Sequence, residues 1–168
     1  MEWIKEDTMA ESKYAKYLAD DFVIEGFRMR DQQGEPTIKA PKRLAFDGST
    51  HFGGINYWMR MTYITRPFMM EQEPHSHDYD QCAHFYGGDP SDLSDFQAEV
   101  WFYLGEEGEK QVITKPTIVY IPKGMMHCPL TYHRIDKPII FQNVCFTGEY
   151  MKTLEDGKQL YVRAKDGI

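Results

Sequence analysis

Short alternating segments, separated by glycine and proline turns, constrain the fold of this chain most strongly. Residues 55–64 show the pattern clearly, because one set of side chains alternates with a second: Ile55, Tyr57, Met59, Met61 and Tyr63 with Asn56, Trp58, Arg60 and Thr62. Successive side chains of a β-strand point to opposite faces. The segment therefore predicts a strand with two different faces, and Tyr63 is expected in the core with the methionines.

The same pattern recurs along the chain from about residue 37. Further strands are predicted over residues 68–77, 81–86, 97–104, 110–114, 117–121, 126–133 and 138–147. Turn-forming residues stand between them, for example at 87–90 and 122–124. Regularly spaced strands with such turns predict an all-β sandwich or barrel.

The pattern of apolar residues in the N-terminal part differs from that in the rest of the chain. Residues 9–20 place Tyr14, Tyr17 and Leu18 on one face among Ala, Glu and Lys, which predicts a short amphipathic helix. We therefore divide the chain into an N-terminal arm over residues 1–36 and a β-barrel domain over residues 37–168.

Charge and cysteine content exclude several classes of protein. The net charge of -7 and the lack of a Lys/Arg cluster argue against nucleic acid or an anionic membrane surface as a partner. No apolar stretch approaches the roughly 20 residues of a membrane span, and the N-terminus lacks a signal core. The three cysteines have no framework spacing, so we expect reduced thiols in a cytoplasmic protein.

Three histidines form the strongest chemical signal. His75 and His77 are separated by one residue, so they share a face of a strand. His127 follows a Pro122-x-Gly124 turn and can meet them if the strands pair. Converging imidazoles predict a transition-metal site.

These motifs resemble those of the cupin superfamily. The first cupin motif is Gly, five residues, His-x-His, three or four residues, Glu, six residues, Gly. His75, His77 and Gly88 match this motif, whereas Gln81 stands at the glutamate position and Met69 at the position of the first glycine. The second is Gly, five residues, Pro-x-Gly, two residues, His, three residues, Asn. Pro122, Gly124 and His127 match it, whereas Pro116 and Thr131 depart from it. The resemblance covers roughly residues 69–131.

The resemblance implies a cupin-type double-stranded β-helix, a jelly-roll barrel, around one divalent transition metal. Iron, zinc, manganese or nickel all suit imidazole ligands. N-terminal arms in many cupins pack across a partner subunit, so the resemblance also implies a homodimer.

Gln81 replaces the anionic glutamate of the motif with a neutral amide. Three alternatives follow. The metal is held by the three histidines with Gln81 or water, or a carboxylate from elsewhere completes the site, or metal binding has been lost.

Glu99 is the candidate for the missing carboxylate. In residues 97–104 one face is apolar, whereas the other carries Gln97, Glu99, Trp101 and Tyr103. The mixed face suits a ligand pocket, where Glu99 would bind the metal or act as a general base; a solvent-exposed face is the alternative.

Further side chains are candidates for binding a substrate. Arg60 could grip a substrate carboxylate, with a surface position as the alternative. The other candidates are Trp58, Trp101, Tyr103 and Asn143. Cys128 directly follows His127, so strand alternation predicts that it points away from the metal as a packed thiol.

The sequence therefore predicts a mononuclear metal-dependent enzyme that acts on a small, oxygen-rich organic substrate, carboxylate or aromatic, with dioxygenase-type oxidoreductase chemistry. The alternatives are a metal-dependent isomerase or lyase, and a non-catalytic binder of small molecules. Cupins include all of these classes, so the fold by itself does not choose among them.

Overall fold

Two antiparallel β-sheets face each other and enclose the apolar side chains. The computed structural model describes residues 12–24, 28–30, 36–39 and 43–162. The strands in these residues are β1 (Val23–Ile24), β2 (Arg28–Arg30), β3 (Pro36–Lys39), β4 (Arg43–Asp47), β5 (Trp58–Ile64), β6 (Phe68–Glu71), β7 (His75–Ser76), β8 (Gln81–Gly87), β9 (Ala98–Leu104), β10 (Glu109–Ile113), β11 (Thr117–Ile121), β12 (His127–Ile135), β13 (Ile139–Cys145), β14 (Tyr150–Leu154) and β15 (Gln159–Val162). A 3₁₀ turn spans Gly48–Thr50.

The strand order shows the jelly-roll arrangement that the sequence predicts. The first sheet runs β1-β4-β5-β13-β8-β11. The second runs β15-β14-β7-β12-β6-β2-β3, and β12 also pairs with β9, which pairs with β10. Some consecutive strands pair as hairpins, such as β4–β5 and β9–β10, whereas others cross between the sheets, such as β7–β8 and β8–β9. The all-β fold class is confirmed.

The core lies between the sheets because alternate residues of each strand point inward. Phe85 of β8 contacts Phe141 of β13 in the same sheet and Phe102 of β9 in the other, with ring centroids 5.3 and 6.3 Å apart. Phe68 stacks on Tyr132 at 5.0 Å. These aromatic side chains are fully or almost fully buried, so they hold the two sheets together.

Strand β5 turns the opposite face inward from the one predicted. Trp58, Arg60 and Thr62 are buried, whereas Tyr63 is 43% exposed. The polar face can lie inside because Arg60 donates to the carbonyls of Phe46 and Met59. The prediction that Tyr63 belongs to the core is wrong.

The predicted amphipathic helix is reduced to a 3₁₀ turn, Ala15–Tyr17, within residues 12–20. Tyr14, Tyr17 and Leu18 are more than half exposed, so the described residues give their apolar face little packing that would stabilise a short helix. Residues 9–11 lie outside the described residues.

Strands near the start of the chain join the barrel. β1 pairs with β4, and β2 pairs with β6 and β3. The division of the chain after residue 36 stays a prediction. Among the described residues, no helix is long and apolar enough to cross a membrane.

The motif glycine Gly88 has a steric role that can be tested. A Cβ there would lie 2.4 Å from the Pro138 carbonyl oxygen, which also accepts the Gly88 N–H. Gly88→Ala should therefore lower the free energy of unfolding by about 1 to 3 kcal/mol in denaturant titrations. Gly124 has open space but a φ of +83°. Gly124→Asn should cost less, since Asn tolerates this conformation. Equal losses would contradict the steric explanation.

Candidate metal centre

Three buried histidines converge between the sheets. His75 of β7 lies directly opposite His127 of β12. Their ring centroids are 4.4 Å apart, and the His77 ring is 5.0 Å from His75 and 4.9 Å from His127. None of the three residues is more than 4% exposed. The folded chain therefore brings together the residues of the two sequence motifs.

Backbone carbonyls fix the orientation of all three rings. Nδ1 of His75 donates to Glu73 O at 2.8 Å, that of His77 to Met151 O at 2.7 Å, and that of His127 to Met125 O at 3.1 Å. A carbonyl oxygen can only accept, so each Nδ1 carries the proton and each Nε2 keeps its lone pair. Hydrogen bonds of this kind orient the metal-binding histidines of many proteins.

The environment keeps the imidazoles neutral. Burial, together with the neighbouring His127, lowers the pKa of His75 and of His77 to about 3. Burial also lowers the pKa of His127 to about 4, against the opposing effect of its backbone hydrogen bond. A metal binds the neutral form of imidazole, so the rings are ready for coordination at neutral pH.

The polar atoms at the centre fit a bound metal. Nε2 of His75 and of His77 and Oε1 of Gln81 are buried and have no hydrogen-bond partner among the described residues. Leaving a buried polar atom unpaired costs about 1 to 3 kcal/mol, which a metal ion would offset. Gln81 is 4% exposed and lines the same cavity as His75 and His127.

Cys128 lies beside these histidines, contrary to the prediction. Its Sγ and the ligand nitrogens of His75 and His127 are within 4.8 Å of one another. Cys128 has a φ of +79°, and the pairing of β12 with β9 shifts register between His127 and Leu130. The strand alternation on which the prediction depended is broken at this point, so the thiol turns inward. Burial raises the pKa of the thiol well above its ordinary value.

Glu99 lies outside the cavity, so the expectation that it faces the pocket is wrong. The buried face of β9 carries Val100 and Phe102, and Phe102 lines the cavity. The alternate face, with Glu99, points outward, where Glu99 Oε1 accepts a hydrogen bond from the Trp101 indole at 2.7 Å. The core and the ligand cavity are on the same side of this strand, whereas the prediction placed them on opposite sides.

The cavity between the sheets has a volume of about 100 Å³. Of the predicted substrate-binding residues, Trp58, Arg60 and Asn143 line it. Trp101 and Tyr103 share the outer face with Glu99; Trp101 stacks on His133 there, with ring centroids 3.8 Å apart. The structure thus brings together only part of the predicted set.

Arginine gives the cavity a cationic side. Arg60 lies 4.1 Å above the Trp58 ring and forms an ion pair with Asp47 at 2.7 Å. Arg43 also lines the cavity, and burial together with the charge of Arg60 lowers its pKa to about 10. Both arginines therefore carry a positive charge at neutral pH.

A carboxylate that the sequence reasoning missed does reach the cavity. Glu71 lines it at the end of β6, and Glu71 Oε2 lies 2.7 Å from Nζ of Lys152. The side chain of Lys152 is 8% exposed and that of Glu71 20%. Because Lys152 lies 81 residues further along the chain, no local pattern indicated this pair.

Comparisons with known proteins found similarity to solved structures alone. No family model and no curated protein matches the sequence. Oxalate decarboxylases of Bacillus subtilis (14% identity, TM-score 0.45) and Lactobacillus farciminis (15%, 0.49) each align with 71% of this chain. The chain spans only 29% and 32% of their lengths. The polyketide cyclase RemF of Streptomyces resistomycificus aligns with 79% of this chain and 78% of its own, at 11% identity and a TM-score of 0.47.

The topology of the chain itself is that of a cupin-type fold. Its two antiparallel sheets form a jelly-roll barrel, with the first motif on β7 and β8 and the second between β11 and β12.

The free energy of unfolding of the metal-free protein should decrease as the pH falls below about 6.5, the ordinary histidine pKa. The unfolded chain then protonates its histidines, whereas the folded rings stay neutral until about pH 3 to 4. The unfolded state binds more protons, so stability is lost on acidification, on the order of 2 kcal/mol per histidine from pH 7 to 5. Denaturant titrations should show a smaller decrease for His75→Gln; an unchanged decrease would contradict this assignment.

The Glu71–Lys152 pair should be important for stability. Glu71→Gln leaves the buried Lys152 cation without its carboxylate and should cost about 3 kcal/mol of unfolding free energy. The double variant Glu71→Gln/Lys152→Met should recover most of this loss in denaturant titrations. Lys137→Met breaks the more exposed Lys137–Asp95 pair and should have little effect. A double variant no more stable than Glu71→Gln would contradict the prediction.

Proposed function

We propose that this chain is a mononuclear metal-dependent enzyme, in which His75, His77 and His127, with Gln81, hold one divalent transition metal. The supporting observation is the pair of buried, unpartnered Nε2 atoms of His75 and His77 beside the Gln81 oxygen. Of the three alternatives that follow from Gln81, this is the one in which the three histidines hold the metal with Gln81 or water. Imidazole ligands suit iron, zinc, manganese or nickel.

The substrate we propose is a small anionic or oxygen-rich molecule. Arg43 and Arg60 line the cavity and attract a carboxylate or enolate, while Asn143 offers an amide that can donate or accept. The rings of Trp58 and Phe102 also line the cavity and give it an apolar part. Its volume of about 100 Å³ favours a small substrate.

A bound metal ion would polarise a substrate oxygen and, if it is iron, support reaction with molecular oxygen. Among the described side chains that line the cavity, Glu71 offers the one carboxylate, which could take up or return a proton beside Lys152. Glu71 takes over the role of general base that the sequence assigned to Glu99. The first candidate reaction that we propose is of the dioxygenase type.

A second candidate is metal-dependent isomerase or lyase chemistry. Such reactions move a proton within the substrate, and the carboxylate of Glu71 in the cavity favours them. A homodimer and a cytoplasmic location also stay part of the proposal, to be tested by sedimentation and by fractionation of cells.

Metal content tests the proposal directly. Protein purified without an affinity tag should contain one transition-metal ion per chain by elemental analysis. His75→Ala and His127→Ala should lose most of it, because each removes a ligand. His84→Ala is the matched control, since His84 lies on the outer face of β8 and its Nδ1 contacts Gln142 O. Wild-type protein that binds no metal would overturn the proposal.

Activity on catechols, diketones and hydroxy acids, with and without air, then separates the candidates. Oxygen uptake by the iron-loaded protein supports the dioxygenase. Turnover without oxygen supports the isomerase or lyase. Bound metal without turnover on any substrate would favour the non-catalytic binder instead.

A further inference from the structure

The proposed ligand set leaves the charge of the metal uncompensated. Three neutral imidazoles and the Gln81 amide add no negative charge to a divalent cation. A buried ion without compensating charge is costly. Glu71, the carboxylate in the cavity, already pairs with Lys152 at 2.7 Å. The site therefore has room for an anionic ligand from another residue.

Cys128 meets the geometric requirement for that ligand. Its Sγ lies within 4.8 Å of the ligand nitrogens of His75 and His127, which themselves lie within 4.8 Å of each other. Metal–sulfur and metal–nitrogen bonds are about 2.3 and 2.1 Å long, so one ion can bridge these atoms after small side-chain movements. Cys128 also lines the cavity with both histidines.

Two further observations support a ligand at this position. Nε2 of His75 and Oε1 of Gln81, in residues 1% and 4% exposed, are buried without hydrogen-bond partners. The left-handed backbone of Cys128 turns its side chain toward the cavity rather than the outer face. A bound ion would join the Nε2 atom of His75 and the thiol beside it.

We propose that Cys128 binds the metal as a thiolate, together with His75 and His127, and supplies the negative charge that Gln81 lacks. This inference rests on the proposed function, because it assigns a further ligand of the same metal. On binding, the Sγ–H bond breaks, the proton leaves to solvent, and a sulfur electron pair forms the bond to the metal. No oxidant or reductant is needed. A thiolate ligand shifts the preference of the site toward zinc, iron or copper and away from manganese.

Cobalt(II) provides a readout that does not depend on activity. A cobalt–thiolate bond gives an intense charge-transfer absorption in the near ultraviolet, which imidazole and amide ligands do not give. The metal-free protein, titrated with cobalt(II), should develop this band at one equivalent. Cys128→Ser should lose the band and bind cobalt about 100-fold more weakly or worse. Cys82→Ser is the matched control, because Cys82 lies on the opposite face of β8 from Gln81 and Ala83 and should keep both properties.

Each outcome decides the inference. Cobalt bound by the wild-type protein without the band, or a band that survives in Cys128→Ser, overturns the thiolate ligand and leaves the proposed function intact. No cobalt binding at all overturns both. If Cys128→Ser fails to fold by circular dichroism, Cys82→Ser and Cys145→Ala assign the band by elimination. A band that persists in both comes from Cys128, and a band lost in either one overturns the inference.

Discussion

The burial of three neutral imidazoles between the sheets is the constraint on which the centre depends. Strand β7 is two residues long and is held between β12 and β14. Because the rings are almost fully buried, their Nδ1–H groups donate to backbone carbonyls. The Nε2 atoms of His75 and His77 are left without a hydrogen-bond partner among the described residues. A ligand that satisfies these atoms binds the folded state only. Binding of a metal ion at these atoms would therefore stabilise the barrel.

The sequence predicted the strands well because turn residues limit them. β11 coincides with the predicted segment 117–121, where a proline precedes the strand and another follows it. Which face of a strand points into the core was harder to predict. In β5, periodicity showed that the two faces differ but not which one turns inward; in β9 it did not show that the ligand cavity lies on the same side as the core. Arg60 lies inside because the carbonyls of Phe46 on β4 and of Met59 on β5 accept its hydrogen bonds, and the contact with β4 exists only in the folded chain.

The histidines of the candidate centre could be predicted because a short motif and a turn specify them. Cys128 and Glu71 could not. The position of Cys128 depends on a local break in alternation, and the pattern of the strand assumes that no break exists. Glu71 is placed by an ion pair with a lysine on a distant strand. The periodicity of a sequence carries no information on local breaks in strand alternation or on ion pairs between residues far apart in the chain.

The hydrogen bond from His77 to Met151 has a consequence for how the protein is made. The two residues lie 74 positions apart, and Met151 belongs to the hairpin of β14 and β15. A nascent chain that has reached the second histidine motif still lacks the carbonyl that orients the His77 ring. The pocket is therefore assembled late in synthesis, after the strands around it can pair. Until β14 has been synthesised, the His77 ring therefore lacks the hydrogen bond that orients it in the folded chain.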